Sequence, residues 1–203
     1  MSARDEETLA FYAREASTYA ARAREPYSSR LPDFLAALKP GAKILELGCG
    51  AGQDAAFMIV QGFSVTPTDG SAELAKHAET RLGIAVRVMA FDELAEAETF
   101  DAVWANACLL HVPFASLSSV LTRVHRALVP GGRFDASYKA GEGGGRDAFG
   151  RYYNFPSQDD LSAAYRRAAP WAALEIEAGK GGGYDGVERT WLYVAARKSS
   201  TMT

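Results

Sequence analysis

Residues 44–52 read ILELGCGAG: an apolar run holding one acid, then three glycines with a single residue between each. The run has the make-up of a buried strand. A tight turn out of such a strand needs φ values that a Cβ disfavours, and close approach of backbone to a ligand needs the side chain absent. Gly48, Gly50 and Gly52 meet both needs. Their spacing is G-x-G-x-G, not the G-x-G-x-x-G that seats a dinucleotide's pyrophosphate on a helix N-terminus. Glu46 would also put negative charge beside a pyrophosphate. An acid there favours a cationic or hydrogen-bond-donating ligand, such as the ammonium group of an amino acid.

Outward from this turn, strand-like and helix-like runs alternate. AKILELG (42–48) leads to QDAAFMIVQG (53–62), FSVTPTD (63–69) to GSAELAKHAETRLG (70–83), AVRVMA (85–90) to FDELAEA (91–97), and FDAVWAN (100–106) to FASLSSVLTRVHRALVPGG (114–132). RFDASYK (133–139), a glycine-rich segment and the helical SQDDLSAAYRRAA (157–169) follow, then ALEIEAG (173–179) and RTWLYVAARK (189–198). Strands separated by helices of this length imply right-handed crossovers and a parallel sheet covered on both faces. The last two strands, joined by KGGGYDGVE (180–188), are close enough to return antiparallel. Ahead of the sheet, Leu9, Tyr12, Ala16 and Tyr19 mark one face of an amphipathic helix over residues 5–24, and a second helix over 32–38 ends at Pro40-Gly41.

In a doubly wound α/β sheet the ligand crevice lies outside the carboxyl ends of the strands, where their order reverses. The strand ends carry Glu46 with the glycines, then Asp69, then Phe91 and Asp92, then Asn106 through His111. Asp69 follows Glu46 by about the 20-residue interval after which a second strand-end acid receives ribose hydroxyls. One ligand fits both clues: a ribose joined to an amino acid.

As a set these stretches resemble the class I S-adenosylmethionine-dependent methyltransferases: ELGCGAG matches the E/D-x-G-x-G-x-G loop, TPTDGS the second-strand acid, and AFD, FDAVWANACLLHVP and LVPGGRF the later landmarks. The resemblance spans about residues 40–139 and extends more loosely to 198. It implies a single seven-stranded, mostly parallel Rossmann-like sheet with an antiparallel C-terminal hairpin and an N-terminal helical cap, and S-adenosylmethionine as methyl donor, leaving S-adenosylhomocysteine. Carried over residue by residue, Glu46 and the backbone of Gly48, Cys49, Gly50 and Gly52 would border the methionine and ribose portions. Asp69, with Gly70 and Ser71 beside it, would accept the ribose hydroxyls. Ala90, Phe91 and Asp92 would hold the adenine; Asn106 and Ala107 would line the methyl end. Tyr19 and Arg24 of the N-terminal segment would reach the methionine carboxylate, and His111 is the candidate general base.

The expected division is one domain over 1–203: a helical cap (1–40), a cofactor-binding core (41–139), a candidate substrate loop (140–156), and a C-terminal helix and strand pair (157–198). The loop combines glycine hinges with Arg146, Tyr152 and Tyr153, a make-up suited to a lid or a binding loop. A small molecule is the expected acceptor, since NACL stands where base- and amide-methylating enzymes carry [D/N]-P-P-[Y/F/W]. Two other readings stay open: a non-catalytic adenosylmethionine- or partner-binding module, and a nicotinamide-dependent oxidoreductase, which the glycine spacing opposes.

Composition sets the outer limits. With 203 residues, 48% hydrophobic and 23% charged, the chain suits one globular core. A net charge of −3 provides no global attraction to nucleic acid or anionic membranes. Cys49 and Cys108 stand in no metal-ligand pattern and read as small buried residues, which fits a reducing compartment and no metal. The first residues lack an apolar leader-like run, so a soluble cytoplasmic protein is expected. His77 reads as a surface residue and His125 as structural. Nothing in the sequence fixes an oligomeric state.

Overall fold

A computed structural model describes residues 3–22, 25, 27–184 and 186–200. In chain order, α1 (Glu6–Arg14), α2 (Ala16–Ala21) and α3 (Leu31–Ala36) precede β1 (Lys43–Leu47), α4 (Gln53–Val60), β2 (Ser64–Asp69), α5 (Ala72–Leu82), β3 (Arg87–Val88) and β4 (Phe100–Ala105). Then come α6 (Phe114–Ala127), β5 (Leu128–Lys139), the short β6 (Gly145–Arg146) and β7 (Tyr152–Tyr153), α7 (Gln158–Ala168), β8 (Trp171–Gly182) and β9 (Glu188–Lys198). Seven strands form one sheet in the order β3-β2-β1-β4-β5-β9-β8. The pairs among β1 to β5 are parallel, and β9 runs antiparallel to both of its neighbours. This is the doubly wound sheet with a C-terminal antiparallel hairpin that the run order implied.

Alternation along the central strands divides the core between two faces. Ile44, Ala102 and Trp104 pack with Phe34 of α3 and Met58 of α4 on one side. Leu45, Leu47, Val103 and Phe134 pack with Leu121 of α6 and Tyr165 of α7 on the other. Because β1 lies between β2 and β4, the winding reverses beside it, and the crevice opens at the carboxyl ends of β1 and β4.

Three local expectations change in detail. The helix expected over 5–24 breaks at Glu15 into α1 and α2. The helix expected over 91–97 is a single turn, Phe91–Glu93. Its continuation is drawn off, because Arg123 and Arg126 of α6 both donate to the Leu94 carbonyl, at 3.1 and 3.2 Å, and Leu94 is wholly buried. The expected strand 85–90 pairs only over Arg87–Val88, as the sheet edge.

Candidate active site

The turn after β1 is built on left-handed backbone, with φ of +64° at Gly48, +58° at Gly50 and +79° at Gly52. It is also enclosed. A Cβ on Gly48 would overlap the Cβ of Cys108, and one on Gly50 would lie 3.2 Å from the Tyr19 ring. Cys108 in turn donates its thiol to the Leu47 carbonyl at 3.0 Å. Asp69, at the end of β2, ties this turn to the next: one carboxylate oxygen accepts Gly50 N–H and the other Ser71 N–H, each at 2.8 Å. Burial raises the Asp69 pKa to about 6, against the pull of those two amides.

Glu46, Asp54 and Asp69, each more than nine-tenths buried, line one cavity above the glycine turn. Asp54 accepts Trp104 Nε1–H at 2.9 Å, Ser28 N–H at 2.8 Å and Asn106 Nδ2–H at 3.3 Å. Ser137 Oγ–H donates to Asn106 Oδ1, and the same hydroxyl accepts Ala107 N–H, both at 2.8 Å. Asn106 is therefore oriented from both ends. A cavity with three buried carboxylates and a glycine floor repels a pyrophosphate and suits a positively charged amino-acid ligand. These residues fit S-adenosylmethionine: cation, ammonium and ribose donors all meet acceptors.

A second cavity, of about 550 Å³ against about 150 Å³ for the first, adjoins it. Tyr12, Tyr19, Asn106, Ala107 and His111 line both and so form the wall between them. His111 Nδ1 lies 2.6 Å from the Tyr152 carbonyl, which can only accept, so Nδ1 carries the proton and Nε2 the lone pair. Nε2 faces the Tyr12 hydroxyl at 3.0 Å, whose oxygen also accepts Arg151 Nη1–H at 3.1 Å. Burial, outweighing the Tyr152 bond, pushes the His111 pKa down to about 4, and burial holds Tyr12 well above the ordinary phenol range. The roof of the second cavity is held by Arg151, 1% exposed, which makes two bonds to Asp147 at 3.0 and 2.6 Å. The rings of Phe11, Phe149, Tyr153 and Tyr184 surround its guanidinium at 4.8 to 5.5 Å. Three chain segments distant in sequence thus meet on one cation.

Of the residues expected to hold the cofactor, all but four line the first cavity. Arg24 lies outside the described residues. Gly52 is the N-cap of α4 and packs on Ala78 and Leu82. Ser71 caps α5, accepting Leu74 N–H at 3.3 Å. Asp92 turns toward the N-terminal segment, accepting Ala3 N–H at 3.4 Å and pairing with Arg4 at 3.5 Å. Of the substrate candidates, Tyr153 lines the second cavity. Arg146 and Tyr152 stand outside both: Arg146 is paired with Asp5 and Glu7, and Tyr152, opposite it in the β6–β7 pair, offers His111 a carbonyl, not its side chain. Lys139 and Trp191, which the sequence reading passed over, line the second cavity. Lys139 ends β5, so the strand-end rule that singled out Asp69 could have found it.

Comparison with known proteins agrees with this geometry. The family model described as Methyltransferase domain matches residues 44–132, from β1 into β5. A solved structure, 1,6-didemethyltoxoflavin-N1-methyltransferase of Burkholderia thailandensis with bound 1,6-didemethyltoxoflavin and S-adenosylhomocysteine, superposes with a TM-score of 0.69. It is 26% identical, over 98% of this chain and 92% of that one. Residues 44–132 form a methyltransferase domain, and the chain resembles the class I S-adenosylmethionine-dependent methyltransferases. An uncharacterized methyltransferase of Synechocystis is 34% identical over 108 residues, 52% of this chain and 50% of the relative. A protein-L-isoaspartate O-methyltransferase of Methylorubrum populi is 36% identical over 114 residues, 53% of each. The chain thus spans about half the length of the curated relatives it matches. Where the names of these similar proteins state an acceptor, those acceptors differ. Among the described residues, no helix is long and apolar enough to cross a membrane and no cluster of ligating side chains suits a metal ion.

Proposed function

We propose that this protein binds S-adenosylmethionine in the acid-lined cavity and methylates a small-molecule acceptor held in the adjoining one, in the cytoplasm. The observation that carries the reading is the shared wall: two cavities of unlike lining meet at Tyr12, Tyr19, Asn106, Ala107 and His111. An acceptor chamber opening onto the cofactor chamber favours an enzyme over a non-catalytic binding module. Three buried carboxylates disfavour a nicotinamide dinucleotide.

When bound, the sulfonium donor supplies an electrophilic methyl group and a neutral thioether leaving group. The chain's own contribution is then alignment and exclusion of water. Asn106, fixed between Asp54 and Ser137, and the glycine turn, fixed by Asp69, give the donor cavity a rigid floor. Tyr12 and His111 order the wall, and a proton that the acceptor loses would go to His111 Nε2, the Tyr12 hydroxyl handing its own proton to Nε2 and taking the acceptor's in its place. A histidine held near 4 is a weak base, so positioning carries most of the effect.

Isothermal titration with S-adenosylmethionine, S-adenosylhomocysteine and NAD tests the reading. Micromolar binding of both sulfur ligands, absent for NAD and lost in Asp69→Ala, is the expected result, followed by label transfer from methyl-labelled donor in an acceptor screen. Binding of NAD, or of none of the three, would overturn it.

A further inference from the structure

The first cavity measures about 150 Å³, against about 300–1,000 Å³ for ligand pockets in general. What narrows it is the N-terminal cap. Asp5, Thr8, Leu9, Tyr12 and Tyr19 all line it, and two of them rest on the glycines that would meet a ligand. Leu9 Cδ2 stands 3.0 Å from where a Cβ on Gly70 would lie, and the Tyr19 ring 3.2 Å from where one on Gly50 would. A ligand of the size of S-adenosylmethionine therefore enters only when this cap lifts.

The candidate substrate loop holds the cap in place. The buried residues of α1 are Thr8 and Phe11. Thr8 Oγ1 accepts Tyr152 N–H at 2.8 Å, and the Phe11 ring packs on those of Phe149 and Tyr184, each at 5.7 Å. Arg146 adds a fork: Nη1 and Nη2 donate to the two carboxylate oxygens of Asp5, the N-cap of α1, at 3.0 and 2.8 Å, and Nη1 also pairs with Glu7 at 3.3 Å. The loop is the anchored side of this contact, because Asn154, 1% exposed, bonds the backbones of Leu109, Leu110 and Val112 at 2.8 to 3.1 Å. Arg146 lines neither cavity, so it reaches the cofactor only through α1.

We propose that Arg146 is a positioning residue for the cofactor: from the candidate substrate loop it latches α1 over the first cavity, and the cofactor is exchanged when that latch opens. This rests on the methyl-transfer reading. The loop also contributes Arg151 and Tyr153 to the second cavity, so a segment that borders the acceptor controls traffic in the chamber of the donor.

The test is the exchange of S-adenosylhomocysteine on the immobilised full chain, read by surface plasmon resonance. The latch holds the cap in free and loaded protein alike, so Arg146→Met should raise the association and dissociation rates together, by about three- to fivefold, the most that an exposed ion pair supplies. Affinity should move by less than about twofold, and Arg146→Lys should fall between Arg146→Met and wild type. Arg146 is 39% exposed and Asp5 13%, which leaves the pair open to screening. Raising salt from about 0.05 to about 0.5 M should therefore speed wild-type exchange about twofold and leave Arg146→Met unmoved, a response that packing alone would not give. Unchanged rates in Arg146→Met, or a salt response that survives it, would overturn the proposal. If Arg146→Met does not fold, Arg146→Lys and the wild-type salt series decide by the same criteria. Failure of S-adenosylhomocysteine to bind would instead overturn the methyl-transfer reading. Hydrogen exchange at the α1 amides would then judge the latch: about three- to fivefold faster exchange in the Arg146 variant supports it, and equal exchange overturns it.

Discussion

The Tyr12 hydroxyl lies 3.0 Å from Nε2 of His111, at the wall where the two cavities meet. If this pair mainly orders the wall, Tyr12→Phe and His111→Gln should each lower kcat about tenfold and leave S-adenosylhomocysteine affinity within about twofold. A general base contributes about 10²- to 10⁴-fold. A loss in that range, with the cofactor still bound, would assign proton removal to His111 directly.

His111 also links stability to pH. Its folded pKa, about 4, lies below the ordinary 6.5, so the unfolded chain takes up its proton first as pH falls. The stabilisation is complete above pH ~6.5 and is lost as pH falls toward 4, by about 3 kcal/mol in all. Asp69 works in the opposite sense: raised to about 6, it favours the fold below the ordinary carboxylate pKa and loses that contribution as pH rises through 6. The two partly cancel in the wild type. Denaturant titrations at pH 7 and 4 should therefore show that His111→Gln loses about 3 kcal/mol less on acidification than wild type does. Equal losses would show that the imidazole is not held neutral.

Gly48 and Cys108 form a steric pair that double mutation can separate. Gly48→Ala meets two penalties, a left-handed φ worth about 1–2 kcal/mol and overlap with the Cys108 Cβ worth about 1–3 kcal/mol. Cys108→Gly removes the overlap and leaves the strain. The double mutant should accordingly be more stable than the sum of the single effects by about 1–3 kcal/mol, measured by urea unfolding. Additive effects would show that the turn shifts to relieve the contact.

How far these features were legible in the sequence follows from how local their causes are. The glycine turn, Asp69 and Asn106 were found because a strand end and a turn residue are set by neighbours in the chain. The doubly wound parallel sheet and its closing antiparallel pair followed from the alternation of runs and crossover handedness, whereas the count of seven strands came from the family resemblance. The single turn at Phe91–Glu93 was not legible, since it depends on Arg123 and Arg126 reaching a carbonyl about 30 positions earlier. Arg151 and Arg146 look alike in sequence, yet one is enclosed by rings from three segments and the other lies exposed beside Asp5. Trp191 has room for its indole because Gly181 on a neighbouring strand lacks a Cβ. Composition can show that a loop is rich in arginine and tyrosine. It does not show which of them turns inward.

Asp69 gives the last prediction, because the same carboxylate organises the turn and faces the ligand. Its two oxygens accept Gly50 and Ser71 amides at 2.8 Å and retain lone pairs toward the cavity. With a ligand-free pKa of about 6, a growing fraction is protonated as pH falls below 6, and protonation removes the negative charge that draws a cation and the acceptor sites that take hydroxyl protons. S-adenosylmethionine should therefore bind about tenfold more weakly at pH 5 than at pH 7, by isothermal titration. Asp69→Asn should remove the pH dependence together with most of the affinity. It should also destabilise the unliganded protein by about 1–3 kcal/mol, because an amide keeps one acceptor and turns its own N–H₂ against a backbone donor. A pH-independent affinity in the wild type would mean that Asp69 serves the turn alone.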